Sequence, residues 1–195
     1  MKLLIASQNK HKIEEIKKIF SDARFELITL KDFNDSDDPI EDGSSFLENA
    51  CIKAKYFAHK YHIPTLADDS GLCVEALNLA PGIYSKRYSG GNDHDNNMKL
   101  LDELKNERER KAYFVSMIVI YFPSDHYMHF EGRLYGEIAK EEKGNLGFGY
   151  DPIFYLPTLD KHLAELSMDE KNKISHRANA LKKVGAHINE IINYK

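Results

Sequence analysis

The sequence has few cysteines, no long hydrophobic run and no excess of positive charge, and each of these absences excludes a class of protein. Its two cysteines, Cys51 and Cys73, are too few for a disulfide scaffold and are not spaced as metal ligands are. No apolar run is long enough to span a bilayer. With 27 basic and 31 acidic side chains, the net charge of −4 gives no general attraction to nucleic acid or anionic membranes. We therefore expect a cytoplasmic protein that binds neither nucleic acid nor membranes.

The length and composition predict a single domain over residues 1–195, with a core large enough to form two lobes. Of the residues, 42% are hydrophobic, and the sequence contains no internal repeat, low-complexity tract or linker. Short apolar runs alternate with segments whose apolar residues recur at helical spacing, which predicts an α/β fold with a mixed sheet. The predicted strands are 2–6, 25–30, 65–69, 112–122, 127–134 and 153–156, and the predicted helices are 13–20, 47–61, 93–104 and a final one that begins near residue 175.

Two adjacent carboxylates, Asp68 and Asp69, end a predicted strand and are followed at once by Ser70 and Gly71. Strand-end loops are where α/β proteins place ligand chemistry, because a rigid sheet holds the loop while substrate can reach it. Neighbouring carboxylates repel unless a cation lies beside them, and hard divalent metal ions prefer such oxygens. A solvated turn is the alternative, since Asp, Ser and Gly commonly form turns.

A polar segment, 7–12, joins the first predicted strand to the first predicted helix. A helix N-terminus presents unbonded backbone N–H groups with a partial positive charge. Ser7 and Asn9 add hydrogen-bonding groups there, and Lys12 adds a cation. The segment is thus a candidate triphosphate cradle. Because the glycine-rich phosphate-loop signature is missing, an ordinary helix cap with surface lysines is the alternative.

Three glycines surround two aromatic residues in the stretch 144–151. Glycines let a backbone approach a flat ligand closely, while Phe148 or Tyr150 can stack on that ligand. A glycine-rich hairpin whose aromatic side chains lie in the core is the alternative.

Cationic residues complete the candidate set. Lys53 lies beside the apolar stripe of the second predicted helix, where it can point along the sheet edge toward a ligand. His176 and Arg177 stand side by side at the start of the final predicted helix and offer several donors to one acceptor. A solvated surface side chain is the alternative for each.

Together these stretches resemble the inosine triphosphate pyrophosphatase family, also called noncanonical purine NTP or dITP/XTP pyrophosphatases. The matching segments occur in family order and span nearly the whole chain. They are Ser7-x-Asn9-x-x-Lys12, 45–50 with Lys53, 67–72, 80–85, 87–90, 147–154, Glu170-Lys171 and Ser175-His176-Arg177.

The resemblance implies an elongated α/β fold in which a mixed sheet flanked by helices forms two lobes around a central nucleotide cleft. It also implies a homodimer and Mg²⁺-dependent hydrolysis between the α- and β-phosphates of ITP, dITP and XTP. The products are a nucleoside monophosphate and pyrophosphate, so the reaction removes deaminated purines from the nucleotide pool.

The resemblance assigns roles to individual residues. It makes Asp69 the proton acceptor and a metal carboxylate, Glu41 the other metal carboxylate, and Asp68 an assisting group. The residues that resemble the family's phosphate and sugar contacts are Ser7, Gln8, Asn9, Lys10, His11, Lys12, Lys53, Ser70 and Lys171. The residues that resemble its base pocket are Phe148, Gly149, Tyr150, Asp151, His176 and Arg177.

Elementary chemistry adds two expectations about these residues. With an ordinary pKa near 4, Asp69 would be a weak base, so we expect it to act by positioning water more than by abstracting a proton. Donors from His176 or Arg177 that face the 6-oxo group of hypoxanthine or xanthine would leave the amino group of adenine unpaired and repelled.

Other function classes remain open at this point. A phosphatase with an aspartyl nucleophile would need an Asp-x-Asp strand end, whereas Asp68 and Asp69 are adjacent. A nucleotide sensor would bind without turnover, and an RNA-binding module would need a basic aromatic surface. The pair His59-x-x-His62 lacks cysteine or carboxylate neighbours at zinc-site spacing, so we expect solvated histidines there.

Overall fold

A mixed sheet of seven strands organises the residues that the computed structural model describes, 1–20 and 24–194. In chain order the strands are β1 (Lys2–Ile5), β2 (Glu26–Thr29), β3 (Thr65–Val74), β4 (Lys111–Tyr121), β5 (Tyr127–Ile138), β6 (Phe154–Leu156) and β7 (Lys161–His162). Their order in the sheet is β2-β1-β3-β4-β5-β6-β7. Strand β1 pairs in parallel with β2 and β3, whereas β6 pairs antiparallel with β5 and β7. The predicted α/β class with a mixed sheet is confirmed.

The helices include every one that the sequence pattern predicts. Those described are α1 (Lys10–Ile19), α2 (Phe46–Tyr61), α3 (Asp93–Glu103), α4 (Met168–Ile174), α5 (His176–Ala186) and α6 (Ile188–Asn193). The single final helix predicted from residue 175 is in fact two, α5 and α6. Among the described helices, none combines the length and the apolar character that crossing a membrane requires.

Strand β3 differs from the prediction in a way that matters for the site. Asp68 and Asp69 were expected at the end of a strand, but they lie in the middle of β3, which continues to Val74. The chain stays in the sheet because the residues that follow, Leu72 to Val74, are apolar and fully or almost fully buried. The two carboxylates are therefore held by the sheet itself and not by a loop.

The chain divides into two compact units. Unit 1 comprises Met1–Asp69, Ser116–Gly132 and Arg177–Lys195, and unit 2 comprises Ser70–Val115 and Arg133–His176. The carboxylates of β3 belong to unit 1, and the glycine–aromatic stretch belongs to unit 2.

Helices cover both faces of the sheet in unit 1. Leu3 and Ile5 of β1 pack in an apolar cluster with residues of α1, α5 and α6, whereas Leu4 packs in a second cluster with Ala54 and Phe57 of α2. Successive side chains of a strand point to opposite faces, so the alternation places α2 opposite the other three helices. In unit 2 a single apolar cluster joins Leu72 of β3 to Leu100 of α3 and to Phe154 of β6.

Candidate functional site

The Asp68 carboxylate is buried in unit 1 among donors. Lys12 Nζ lies 3.0 Å from its Oδ2, and Arg177 donates to the same oxygen from Nη2 at 3.0 Å and from Nε at 3.2 Å. The Ser116 hydroxyl donates to Oδ1. Burial favours the protonated acid, but Arg177, Lys12 and Ser116 outweigh it and hold the pKa of Asp68 well below its usual value. Asp68 is thus a fixed anion.

Asp69, next along β3, has the opposite electrostatic character. Its side chain is largely buried, and burial raises the pKa of Asp69 to about 6; Glu41 and Asp68 add to the rise, while Lys12 and Lys53 oppose it. A base is most effective when its pKa lies near the working pH. The expectation of a weak base with an ordinary pKa is therefore wrong, because the sequence does not reveal how deeply the group is buried.

Lys12 and Lys53 bring two ammonium groups to these carboxylates from helices α1 and α2. Besides its ion pair, Lys12 Nζ donates to the Asp68 carbonyl at 3.3 Å. Lys53 Nζ lies 2.5 Å from Oε1 of Glu41, a residue of the segment that precedes α2. Both lysine side chains are about 15% exposed, so they are partly desolvated yet accessible to a ligand.

Helix α1 begins at Lys10, three residues earlier than predicted, so residues 7–9 join β1 to α1 and residues 10–12 form its first turn. Asn9 caps α1, accepting from the N–H groups of His11 and Lys12 at 3.0 and 3.3 Å, while the Asn9 N–H donates to the Ser7 hydroxyl. Gln8 Nε2 donates to the carbonyls of Ser36 and Asp37. Lys10 and His11 are exposed. Asn9 is thus a regular helix cap, and Lys12, in the first turn of α1, reaches the carboxylates.

Arg177 does not have the surroundings that the sequence interpretation gave it. Its side chain is 1% exposed, and its guanidinium donates to Asp68 on one side and to Glu15 of α1 on the other. The guanidinium therefore holds Asp68 in place. That Arg177 also contacts the base stays a prediction.

In unit 2, Lys171 and Asp151 form a buried ion pair. Lys171 Nζ lies 2.6 Å from Asp151 Oδ2, and the two side chains are 5% and 3% exposed. The same carboxylate oxygen accepts from the Phe148 N–H at 2.9 Å, and the Lys171 ammonium lies 4.5 Å from the centre of the Phe148 ring. Three predicted site residues therefore form one contiguous cluster.

Other predicted residues of unit 2 have structural contacts. Tyr150 lies in the apolar core and donates its hydroxyl to the Ser85 carbonyl at 2.8 Å. Gly149 is fixed by Asp93, which accepts from its N–H, and by Asn97, which donates to its carbonyl. His176 is buried and its ring stacks on Phe114 at 4.9 Å.

The predicted residues thus form two sets, one in each unit. In unit 1 the structure brings together Lys12, Glu41, Lys53, Asp68 and Asp69, whereas Ser7 to His11 form or flank the helix cap. The set in unit 2 consists of Ser70, Phe148, Gly149, Tyr150, Asp151, Lys171 and His176.

Sequence reasoning missed the residues that support Asp68. Ser116 is fully buried in β4 and Glu15 is buried in α1, and both belong to the network around Asp68 and Arg177. The one available signal is that Ser116 interrupts an otherwise apolar run in β4. Nothing in the sequence distinguishes Glu15 from Glu14, the exposed glutamate beside it in the same helix.

The carboxylates fit a magnesium ion. The residues that the structure describes contain no group of three His, Cys, Asp or Glu side chains suited to a metal ion. Mg²⁺ does not require one, because it commonly binds through one or two carboxylates together with water and phosphate oxygens. Glu41 raises the pKa of Asp69, so these two carboxylates repel each other and a cation shared by both would relieve that repulsion.

Comparison with known proteins gives consistent matches over nearly the full chain. The model of the Ham1 family matches residues 3–187. A protein of Desulfotalea psychrophila named dITP/XTP pyrophosphatase is 45% identical over 194 residues, which cover 98% of this chain and 87% of that protein. A protein of the same name from Thermoanaerobacter pseudethanolicus is 45% identical over 192 residues, covering 96% of each chain. The solved structure of the Staphylococcus aureus Ham1 protein matches with a TM-score of 0.89 at 43% identity, covering 97% of this chain and 99% of that one.

Proposed function

Because this chain belongs to the Ham1 family, we propose that it is a pyrophosphatase that hydrolyses noncanonical purine nucleoside triphosphates. The substrates are ITP, dITP and XTP, and hydrolysis between the α- and β-phosphates gives a nucleoside monophosphate and pyrophosphate. The reaction would clear deaminated purines from the nucleotide pool. Relatives that are 45% identical to this chain carry the name dITP/XTP pyrophosphatase, which supports this substrate class.

The observation that carries the proposal is the environment of Asp69 in unit 1. A buried carboxylate with a pKa of about 6 is suited to accept a proton from a water molecule that attacks the α-phosphorus. Asp68 stays ionised beside it, so β3 carries one carboxylate that remains an anion and one that can accept a proton. Their pKa values differ because their partners differ, since Arg177 contacts Asp68.

Neutralising the charge of the substrate is the second requirement. A nucleoside triphosphate carries about four negative charges near neutral pH, and phosphoryl transfer depends on stabilising that charge and positioning the groups. Lys12 and Lys53 lie close enough to Asp69 to lower its pKa, and both remain partly accessible. We assign them to the phosphates, together with the N-terminal end of helix α1.

Glu41 and Asp69 would hold Mg²⁺, which when bound neutralises charge on the pyrophosphate leaving group. The ion pair with Lys53 holds the side chain of Glu41 in place. The other proposed phosphate and sugar contacts are Ser7, Gln8, Asn9, Lys10, His11, Ser70 and Lys171, and the proposed base contacts are Phe148, Gly149, Tyr150, Asp151, His176 and Arg177.

The resemblance also supports a homodimer in the cytoplasm. Light scattering on the purified protein at micromolar concentration tests the first point, and a mass of about 22 kDa in place of twice that value would refute it.

Release of pyrophosphate from ITP, dITP, XTP, ATP and GTP, measured with and without Mg²⁺, tests the function. We expect turnover of the first three only, and only with the metal. Equal turnover of ATP would refute the selectivity. Orthophosphate as the first product would indicate a phosphatase with an aspartyl nucleophile, and tight ITP binding without turnover would indicate a sensor.

A further inference from the structure

Helix α2 holds the segment of residues 35–41 along one of its faces. Three α2 side chains contact the segment: Lys53 pairs with Glu41, Tyr56 donates to Asp37, and Lys60 pairs with Asp35 and with Asp37 at 2.7 Å each. Residues 53, 56 and 60 are spaced by three and four, so they lie on the same face of the helix. The 35–41 segment therefore runs beside α2 and is attached to it at both ends.

The dimensions agree with this arrangement. Seven residues of α-helix rise about 10 Å, which is the distance between the levels of Lys53 and Lys60 on α2. The four to six residues that separate Asp35 and Asp37 from Glu41 span up to about 13–20 Å when extended. The 35–41 segment is thus long enough to connect the two attachment points.

The attachment at Lys60 involves a buried carboxylate with several donors, unlike an isolated surface ion pair. The Asp35 side chain is only 4% exposed, and it accepts from Lys60, from the Tyr61 hydroxyl and from the Asp37 N–H. The donors from Lys60 and Tyr61 lower the pKa of Asp35 to about 2, so the carboxylate remains ionised at neutral pH. Phe33, just before the segment, stacks on the ring of Tyr61 at 4.0 Å.

The 35–41 segment also supports the N-terminal loop. Gln8 Nε2 donates to the backbone carbonyls of Ser36 and Asp37. These residues belong to the same end of the segment as Asp35 and Asp37, the two carboxylates that pair with Lys60. A shift of this end of the segment would therefore move both Glu41, through the chain, and Gln8, through its hydrogen bonds.

We propose that Lys60 is a positioning residue that fixes the 35–41 segment on α2 and thereby places Glu41 for metal binding. The inference rests on the proposed function, because it takes Glu41 as a metal carboxylate. Lys60 touches neither the metal nor the substrate in this account. Removal of a group that contacts a metal ligand directly, as Lys53 contacts Glu41, typically costs about 10–100-fold in metal affinity or activity. Lys60 acts through the segment and not on Glu41 itself, so we expect the lower end of that range.

The test compares Lys60→Met with Lys60→Arg and with Lys55→Met. Lys55 is a neighbouring α2 lysine that is half exposed and pairs with Asp125, outside the 35–41 segment, so it is the matched control. The first measurement is the affinity for Mn²⁺ in the absence of nucleotide. It is monitored through the electron paramagnetic resonance signal of the ion. We expect Lys60→Met to weaken Mn²⁺ binding about 10-fold, while Lys60→Arg and Lys55→Met stay within about 3-fold of the parent chain.

The second measurement is the Mg²⁺ concentration that half-saturates pyrophosphate release from ITP, which should rise in parallel with the loss of Mn²⁺ affinity. Ile191→Val, a conservative core change in α6, lowers stability without touching this region and controls for destabilisation. If Lys60→Met does not fold, the double variant Asp35→Asn/Asp37→Asn removes both ion pairs of Lys60 and is measured in its place.

Unchanged Mn²⁺ affinity in Lys60→Met or in Asp35→Asn/Asp37→Asn would overturn the inference, as would an equal loss in Lys55→Met or Ile191→Val. Failure of the parent chain to release pyrophosphate from ITP would instead refute the proposed function. The Mn²⁺ titrations separate the two cases, because they do not depend on turnover.

Discussion

Arg177, at the start of α5, donates two N–H groups to one oxygen of Asp68, a residue 109 positions earlier in the chain, while its remaining nitrogen pairs with Glu15. All three side chains are at least 95% buried. The arrangement joins three elements of unit 1, α5, β3 and α1, through a single guanidinium. A planar fork of N–H donors is what such a site requires, and lysine does not provide it.

Replacing Arg177 by Met should destabilise the protein by about 3–5 kcal/mol, because it leaves Asp68 and Glu15 buried with less compensating charge. Arg177→Lys should recover only part of that loss. Urea unfolding measures both changes, and Arg108→Met at an exposed position is the control, expected within about 0.5 kcal/mol of the parent. A loss below about 1 kcal/mol in Arg177→Met would show that the buried network is not structural.

Asp69→Asn should strongly reduce activity and yet stabilise the metal-free protein at neutral pH. The folded pKa of Asp69 is about 6, above its ordinary value of 3.8, so the folded state binds this proton more tightly than the unfolded state does. The associated stabilisation is complete below pH 4 and is lost as the pH rises through 6. Two pKa units correspond to about 3 kcal/mol, which is the upper limit of the gain in Asp69→Asn above pH 7.

Two measurements check the Asp69 prediction. Pyrophosphate release from ITP should fall about 10²–10⁴-fold in Asp69→Asn, the usual contribution of a general base. Thermal unfolding in EDTA should show the variant more stable than the parent at pH 8 and equally stable at pH 4. The opposite order, with the gain at pH 4, would mean that the pKa of Asp69 is lowered in the fold.

The sequence was sufficient to predict the fold class and most elements of unit 1. Apolar periodicity located α2 to within one residue at its start, and the run at β1 was placed correctly. It misplaced the end of β3 because Asp68, Asp69 and Ser70 read as a turn, whereas buried neighbours keep them in the sheet. Local composition does not show that a donor from a distant segment will satisfy a carboxylate.

The same limit applies to the candidate site. The resemblance assigned Arg177 to the base pocket, but nothing near it in sequence shows that Asp68 and Glu15, each more than 100 residues away, accept from its guanidinium. The shifted pKa of Asp69 depends on burial and on Glu41, Lys12 and Lys53, which come from three other segments. Residue types were predictable, whereas their partners were set by the tertiary fold.

The ion pair between Lys171 and Asp151 should behave as one unit. Lys171→Met leaves a buried carboxylate without its ammonium partner, and Asp151→Asn leaves the reverse, so each single change should cost about 3–5 kcal/mol. The double variant should cost clearly less than the sum of the two. Urea unfolding of all four proteins gives the coupling free energy, and additivity within about 0.5 kcal/mol would refute the coupling.

Gly147 and Gly149 offer a matched pair of substitutions in the glycine–aromatic stretch. Both have positive φ angles, 79° and 63°, so alanine at either position adopts a strained backbone. A Cβ on Gly147 would lie 2.1 Å from Asp151 Oδ2, whereas a Cβ on Gly149 would have no atom within 4 Å. The alanine at 147 must therefore displace the carboxylate that Lys171 and the Phe148 N–H hold.

Gly149→Ala should accordingly cost about 1–2 kcal/mol, the price of the backbone strain alone. Gly147→Ala should cost about 1–3 kcal/mol more, because the overlap adds to the same strain. It should also raise the KM for ITP, because Phe148 and Asp151 are proposed base contacts. Denaturant unfolding and initial rates of pyrophosphate release measure the two effects. Equal destabilisation by the two alanines would show that the Asp151 carboxylate moves aside freely, and the buried ion pair would then not define its position.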